Sequence, residues 1–156
     1  MLQAVISKTK AISYSISGGK LIPATSLANT QIIQVSFIQA DIDNLPVYYD
    51  NPNSSSMNFL ISTEKVVNGN FLHQTLSTQF ATYPIKTANQ AYEELQKGGG
   101  YIAFYGGSPN VAIRNIFLAY YMSGSLQNFL MPVFVFQGDN GFYAYVPAVT
   151  DVWISK

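Results

Sequence analysis

Only one stretch of this 156-residue sequence carries a helical period, and most of the rest alternates. Ala88, Ala91, Tyr92 and Leu95 fall on one helical face. Thr87 suits the N-cap and Gln90 stands three residues on, a capping-box pattern. Gly98-Gly99-Gly100 stops the run just after Lys97, a basic residue well placed for the C-terminal dipole. The pattern predicts a helix over 88–97, so sheet must provide nearly all the remaining burial.

Short alternating runs bounded by turn residues supply that sheet. Ala4-Val5-Ile6 and Ile12, Tyr14, Ile16 read as two short strands before the Ser17-Gly18-Gly19 turn. Residues 23–30 read as a connection. Across 31–40, Ile33, Val35 and Phe37 share one face while Gln34 and Ser36 share the other. Leu45-Pro46-Val47-Tyr48-Tyr49 reads as a short strand, with Pro46 at a strand start or an edge. Further strands are expected at 57–63 and 71–76, with Gly69 marking a hairpin turn or a bulge. After the helix come strands at 101–105, 111–122, 130–137 and 142–149, with a hairpin turn at Gly138-Asp139-Asn140-Gly141. Short connections favour antiparallel pairing with the helix laid on one face.

Composition excludes several functions. One Arg and seven Lys make no phosphate footprint for nucleic acid. Without Cys there is no disulfide, thiol catalysis or thiolate metal site. Aromatic content of 14% argues against disorder, and no apolar run is long enough for a helical membrane span. Charged residues make up 10%, against about 25% in an average soluble protein, and 46 Asn, Gln, Ser and Thr residues fill the gap. That balance reads as a surface or secreted protein rather than a cytosolic enzyme. Residues 1–16 are interrupted by Lys8 and Lys10 and form no signal peptide.

Candidate reactive groups each have a plainer reading. His73 is the only His, it sits in a predicted strand, and no Gly-x-Ser-x-Gly elbow accompanies it. Glu93 and Glu94 are adjacent on a helix and diverge by about 100°; both are expected on the solvated side. Asp41 and Asp43 could form half of a Ca²⁺ site, but capping their own turn is the commoner role. Gly98-Gly99-Gly100 follows a helix and Gly106-Gly107 joins two strands, the reverse of a phosphate-binding loop. No catalytic residue, metal or cofactor is expected. The surplus lies in aromatics: Phe117, Tyr120, Tyr121, Phe129, Phe134, Phe136, Phe142, Tyr143 and Tyr145 crowd the last third. Alternation sends about half to a core and leaves others, Tyr121, Tyr143 and Tyr145 among them, for the opposite face. Such a row packs under another domain or binds a sugar or a protein.

Leu45-Pro46-Val47-Tyr48-Tyr49 also echoes Met131-Pro132-Val133-Phe134-Val135. Either two strands both carry an early Pro by chance, or a β-β-β layer is duplicated and the first copy's helix precedes Met1 in a longer parent.

Across 87–149 the order of motifs is specific. Ala88-x-x-Ala91-Tyr92-x-x-Leu95-x-x-Gly98 is followed by Ile113-x-x-Ile116-x-Leu118-Ala119-Tyr120-Tyr121, then Leu130-x-Pro132-Val133-x-Val135-Phe136, then Tyr145-Val146-Pro147-Ala148-Val149. This resembles the repeat unit of YycH/YycI-type, PepSY-like bacterial proteins. The resemblance implies an extracytoplasmic protein, at the cell surface or in a periplasm-like space, anchored in the membrane by a segment absent from this chain. It implies no catalytic residues and no cofactor. Its partner would be a protein, such as a sensor kinase or another domain of the parent chain.

The expected fold is therefore α+β: a mostly antiparallel sheet in two β-β-β units with one helix at 88–97, PepSY/YycI-like. Residues 1–30 form N-terminal strands and a connection, 31–80 a first antiparallel unit and 87–150 an α-β-β-β unit, as one compact domain or two tightly packed subdomains. The expected function is non-catalytic protein interaction or regulation, with Tyr48, Tyr49 and Tyr143 as partner contacts and Tyr120 and Tyr121 belonging to the fold. The alternative is a carbohydrate- or cell-wall-binding module using exposed tyrosines.

Overall fold

Ten strands and one α-helix form from this pattern in the computed structural model, which describes residues 6–72, 74–77 and 79–154. In chain order they are β1 (Ile6–Ser17), β2 (Lys20–Pro23), β3 (Ile32–Gln39), β4 (Val47–Tyr49), β5 (Met57–Ile61), β6 (Val66–Phe71), α1 (Ala88–Gln96), β7 (Tyr101–Phe104), β8 (Ile113–Met122), β9 (Met131–Gly138) and β10 (Tyr143–Pro147). Two units emerge: Met1–Ala40 with Asn53–Gln74, and Asp41–Pro52 with Thr75–Lys156.

The first unit is a five-stranded antiparallel sheet in the order β2-β1-β3-β5-β6. Gly18 and Gly19, at φ 56° and 75°, make the tight turn from β1 to β2. Pairing puts Ala11, Val35 and Phe59 on one face beside Ile33, Phe37 and Ile61, and the Phe37 and Phe59 rings meet edge-on at 6.0 Å. The other face is mixed: Lys10, Gln34, Ser36 and Asn58 stand among Ile12, Ile32, Ile38 and Leu60. There Gln34 Nε2 donates to Ser36 Oγ (3.3 Å) and Ser54 Oγ (3.2 Å), and Lys10 Nζ donates to Asn53 Oδ1 (2.7 Å). Gly69 marks no turn. It sits within β6 opposite Phe59, and a Cβ there would lie 2.5 Å from Phe59 Cδ1. The aromatic ring covers the place where a side chain would stand. The irregularity in this pair falls instead between Leu60 and Ile61.

The second unit is a five-stranded mixed sheet in the order β4-β8-β9-β10-β7. Helix α1 lies on one face, where Ala91 and Leu95 meet Phe134, Phe136, Phe142, Ala144, Val146 and Ala148. Thr87 and Gln90 form the expected capping box. Lys86 is buried at the start of this element. Its Nζ lies 2.7 Å from both Glu94 Oε2 and Asp151 Oδ1. Burial alone would lower its pKa, but hydrogen bonds from the ammonium to Asp151 and Glu94 outweigh this and raise it. Glu94 is thus a half-buried partner rather than a solvated residue.

Two expectations about the fold need correcting. The chain is mostly β, with 46% strand and 12% helix, in one antiparallel and one mixed sheet, not an α+β pair of β-β-β units. The Leu45–Tyr49 run joins no repeat of its own. As β4 it pairs in parallel with β8 at the edge of the sheet in which Pro132–Val135 forms part of central β9. Parallel partners are necessarily remote in sequence, so a local apolar run gives no sign of which sheet it enters.

Candidate functional site: the tyrosine face

Strand alternation builds the second unit's other face from Tyr101 and Ala103 on β7, Phe117, Ala119 and Tyr121 on β8, Val133 and Val135 on β9, Tyr143 and Tyr145 on β10, and Tyr48 on β4. Adjacent strands lie about 4.8 Å apart, so flat pairing would hold β4 and β7 about 19 Å apart at opposite edges. Yet Tyr101 Oη on β7 donates to the Asp50 carbonyl, one residue past β4, at 3.3 Å. The sheet therefore curls around its tyrosines. Gly100 permits the close approach: its φ is 107°, and a Cβ there would lie 2.7 Å from the Tyr145 carbonyl oxygen.

Tyr145 is the hub. It is 3% exposed, and its ring centroid lies 6.0 Å from those of Tyr48, Tyr101 and Tyr121. Its hydroxyl donates to the Tyr49 carbonyl at 3.0 Å. Tyr121 Oη donates to Asp50 Oδ1, while Gly124 N–H donates to Asp50 Oδ2 at 2.9 Å. Gln137 Nε2 donates to Tyr143 Oη at 3.0 Å. Asp50 thus ties the end of β4 to β8 and to the loop beyond it.

These surroundings disfavour phenolate. Burial pushes the Tyr48 hydroxyl up to about 12, helped by neighbouring Tyr143. Burial, then the hydrogen bond to Asp50 and its charge, pushes Tyr121 up to about 12 as well. Burial raises Tyr145 further, with its phenolic neighbours adding to the effect. At neutral pH these groups are neutral hydrogen-bond donors, and the hydroxyls of Tyr101, Tyr121 and Tyr145 are engaged within the unit. The arrangement braces a curled sheet.

Of the sequence-derived contact residues, Tyr48 and Tyr143 meet on this face at 6.0 Å and are half-buried. Tyr49 points to the opposite side of β4 and is 6% exposed, so its ring is not a surface contact. Asp43 sits in a tight turn that Asp41 precedes: Asp43 and Asn44 have φ of 50° and 64°, and Ile42 bridges Leu45. Among the described residues no three His, Cys, Asp or Glu side chains converge as metal ligands. His73 lies outside the described residues. Sequence reasoning missed Asp50 and Lys86. Asp50 and its Tyr121 partner are 71 residues apart, and the Lys86–Asp151 pair spans most of the second unit.

Among the described residues no helix is long and apolar enough to cross a membrane. The chain matches no protein-family model, no curated protein and no solved structure.

Proposed function

We propose that this chain is a non-catalytic interaction module, working outside the cytoplasm, that binds a protein partner through the apolar face of its first sheet. The observation that carries this reading is the makeup of that face. Ile33, Val66 and Phe71 are 38%, 57% and 61% exposed around half-buried Val35, Phe37, Phe59 and Ile61. The first unit contributes no α-helix to cover it among the described residues. Contiguous apolar surface of this kind marks interaction sites. The low charge of the chain supports the extracytoplasmic setting on compositional grounds.

The sheet edges favour a face over an edge as the contact. Edge strand β2 carries Lys20 and Pro23, both poor templates for strand addition. On the other edge, Leu72 N–H donates to Ser56 O, so by alternation the Gly69 N–H points away from β5. Asn68 Oδ1 accepts that N–H at 2.7 Å and caps it.

The test is retention of proteins from a cell-surface extract by the immobilised chain and by a Val66→Ser, Phe71→Ser variant. Both positions are exposed, so the variant should fold normally. Selective loss of one retained protein is expected; equal retention by chain and variant would sink the reading.

A glycan-binding reading rests on a different observation. Tyr83 and Trp153 are 49% and 58% exposed with ring centroids 5.7 Å apart, beside the largely exposed Asp151 carboxylate. Trp153 is the only Trp, so its fluorescence reports directly on titration with soluble cell-wall oligosaccharides. An unchanged spectrum at saturating sugar ends that reading.

A further inference from the structure

We infer that strand β4 is exchangeable between copies of this chain, so that one copy's 41–52 segment can complete the second unit of another. The connectivity points this way. Asp41–Pro52 belongs to the second unit, although the chain on either side of it, Met1–Ala40 and Asn53–Gln74, belongs to the first. The second unit's sheet is completed by a strand lent from another part of the chain.

The loan is short and specific. β4 pairs only Val47, Tyr48 and Tyr49 with Tyr120, Tyr121 and Met122, and Tyr120 N–H donates to Pro46 O at 2.9 Å. Asp50 adds its contacts to Tyr121 and Gly124, and the Tyr49 carbonyl receives the Tyr145 hydroxyl. Every one of these interactions runs between 41–52 and 75–154. A second copy carries an identical strand, so exchange reproduces each contact and its energy. Only the covalent path distinguishes the two arrangements.

That path is the connector from β6 to α1. Leu72 is fixed by its hydrogen bond to Ser56, and Ile85 by its bridge to Val149. Between them, residues 74–77 and 79–84 form no helix or strand. The twelve residues 73–84 span at most about 40 Å. A tether of this length supplies β4 at an effective concentration on the order of millimolar. The unexchanged chain dominates in dilute solution, and exchange gains at high concentration or when the tether is shortened.

The absence of Cys makes the test direct. Val47 and Tyr120 are register partners, a placement suited to a disulfide. Full-length Val47→Cys and full-length Tyr120→Cys chains are mixed, unfolded, refolded together over a range of concentrations, oxidised and run without reductant. Exchange places the two thiols side by side, so it yields the mixed disulfide in excess over either symmetric dimer, whereas random collision yields all three. The mixed disulfide should appear at high concentration, and deleting residues 75–81 should lower the concentration needed by about tenfold or more. Light scattering should then give about twice the chain mass. If no mixed disulfide forms at any concentration with the full connector, the inference is overturned, whether or not the shortened chain folds. Dimers of Val47→Cys with itself, at equal yield to the mixed species, would also overturn it, because they would show random collision.

Discussion

Of the 17 buried apolar residues among those described, two (Ile32 and Met57) lie in the first unit and 15 in the second. The first sheet has a mixed face, where Gln34 links Ser36 and Ser54 and Lys10 binds Asn53, and an apolar face whose residues are half-buried or exposed apart from Met57. The second is packed on both sides, by α1 on one and by its own tyrosines on the other. Similar strand patterning thus supports two different economies of burial. A sheet folds on alternation alone, but it becomes a two-sided core only where side chains are long enough to meet across a curl or where a helix is supplied.

Alkali should separate the units most. Tyr48 and Tyr121 have folded pKa values raised to about 12 from about 10. The folded state therefore holds its protons longer than the unfolded state does. Their stabilisation is complete below pH 10 and is lost as pH rises from 10 through 12. Lys86, also raised, contributes in the same sense: its support is lost as pH rises through its folded value. Lys10 in the first unit is lowered by burial, so its term has the opposite sign and favours that unit as the ammonium deprotonates. Hydrogen exchange quenched from pH 10 to 12 should show the second unit losing protection first. The reverse order would break the comparison.

Next in size, Phe136→Ala empties a site with no exposure and should cost the second unit about 3–5 kcal/mol. In urea, Trp153 fluorescence should report that loss. Val35→Ala, on the half-buried face of the first sheet, should cost less; a loss as large as that of Phe136→Ala would mean that face is a true core. Asp50→Ala removes the acceptor from Tyr121 and Gly124 and should cost about 2 kcal/mol. Combining it with Tyr121→Phe should cost clearly less than the sum of the two single changes, since both cut one interaction. Gly69→Ala forces the Phe59 ring aside and should cost roughly 1–3 kcal/mol in the first unit. The smallest effect is Thr87→Ala at the helix cap, about 1 kcal/mol by thermal or urea unfolding.

What was legible in the sequence follows the range of the interactions. The helix, its capping box and its glycine stop depend on neighbours a few residues away, and they formed where the pattern put them. The division of Val35 from Gln34, and of Tyr145 from Val146, follows from period 2 alone. Strands β8, β9 and β10 fall within two residues of their expected ends. Fold class did not follow, because it turns on β4, whose partner lies over seventy residues on and is parallel. Asp50 and Lys86 were invisible for the same reason: a carboxylate after two tyrosines, or a lysine before a helix, has no local mark of its distant partner. Tyr49 was misplaced because an edge strand still has two faces, and the adjacent Tyr48 took the one that curls inward.

The lent strand also sets a schedule for synthesis. Asp50 leaves the ribosome 71 residues ahead of Tyr121. At about 5–20 residues per second, that is a wait of roughly 4–14 s. For that time Val47, Tyr48 and Tyr49 have no sheet to enter, and the first unit's strands are made on both sides of them. The chain must hold an aromatic strand in reserve until its partner arrives, so its folding is governed by the clock of translation as well as by the stability of the finished sheet.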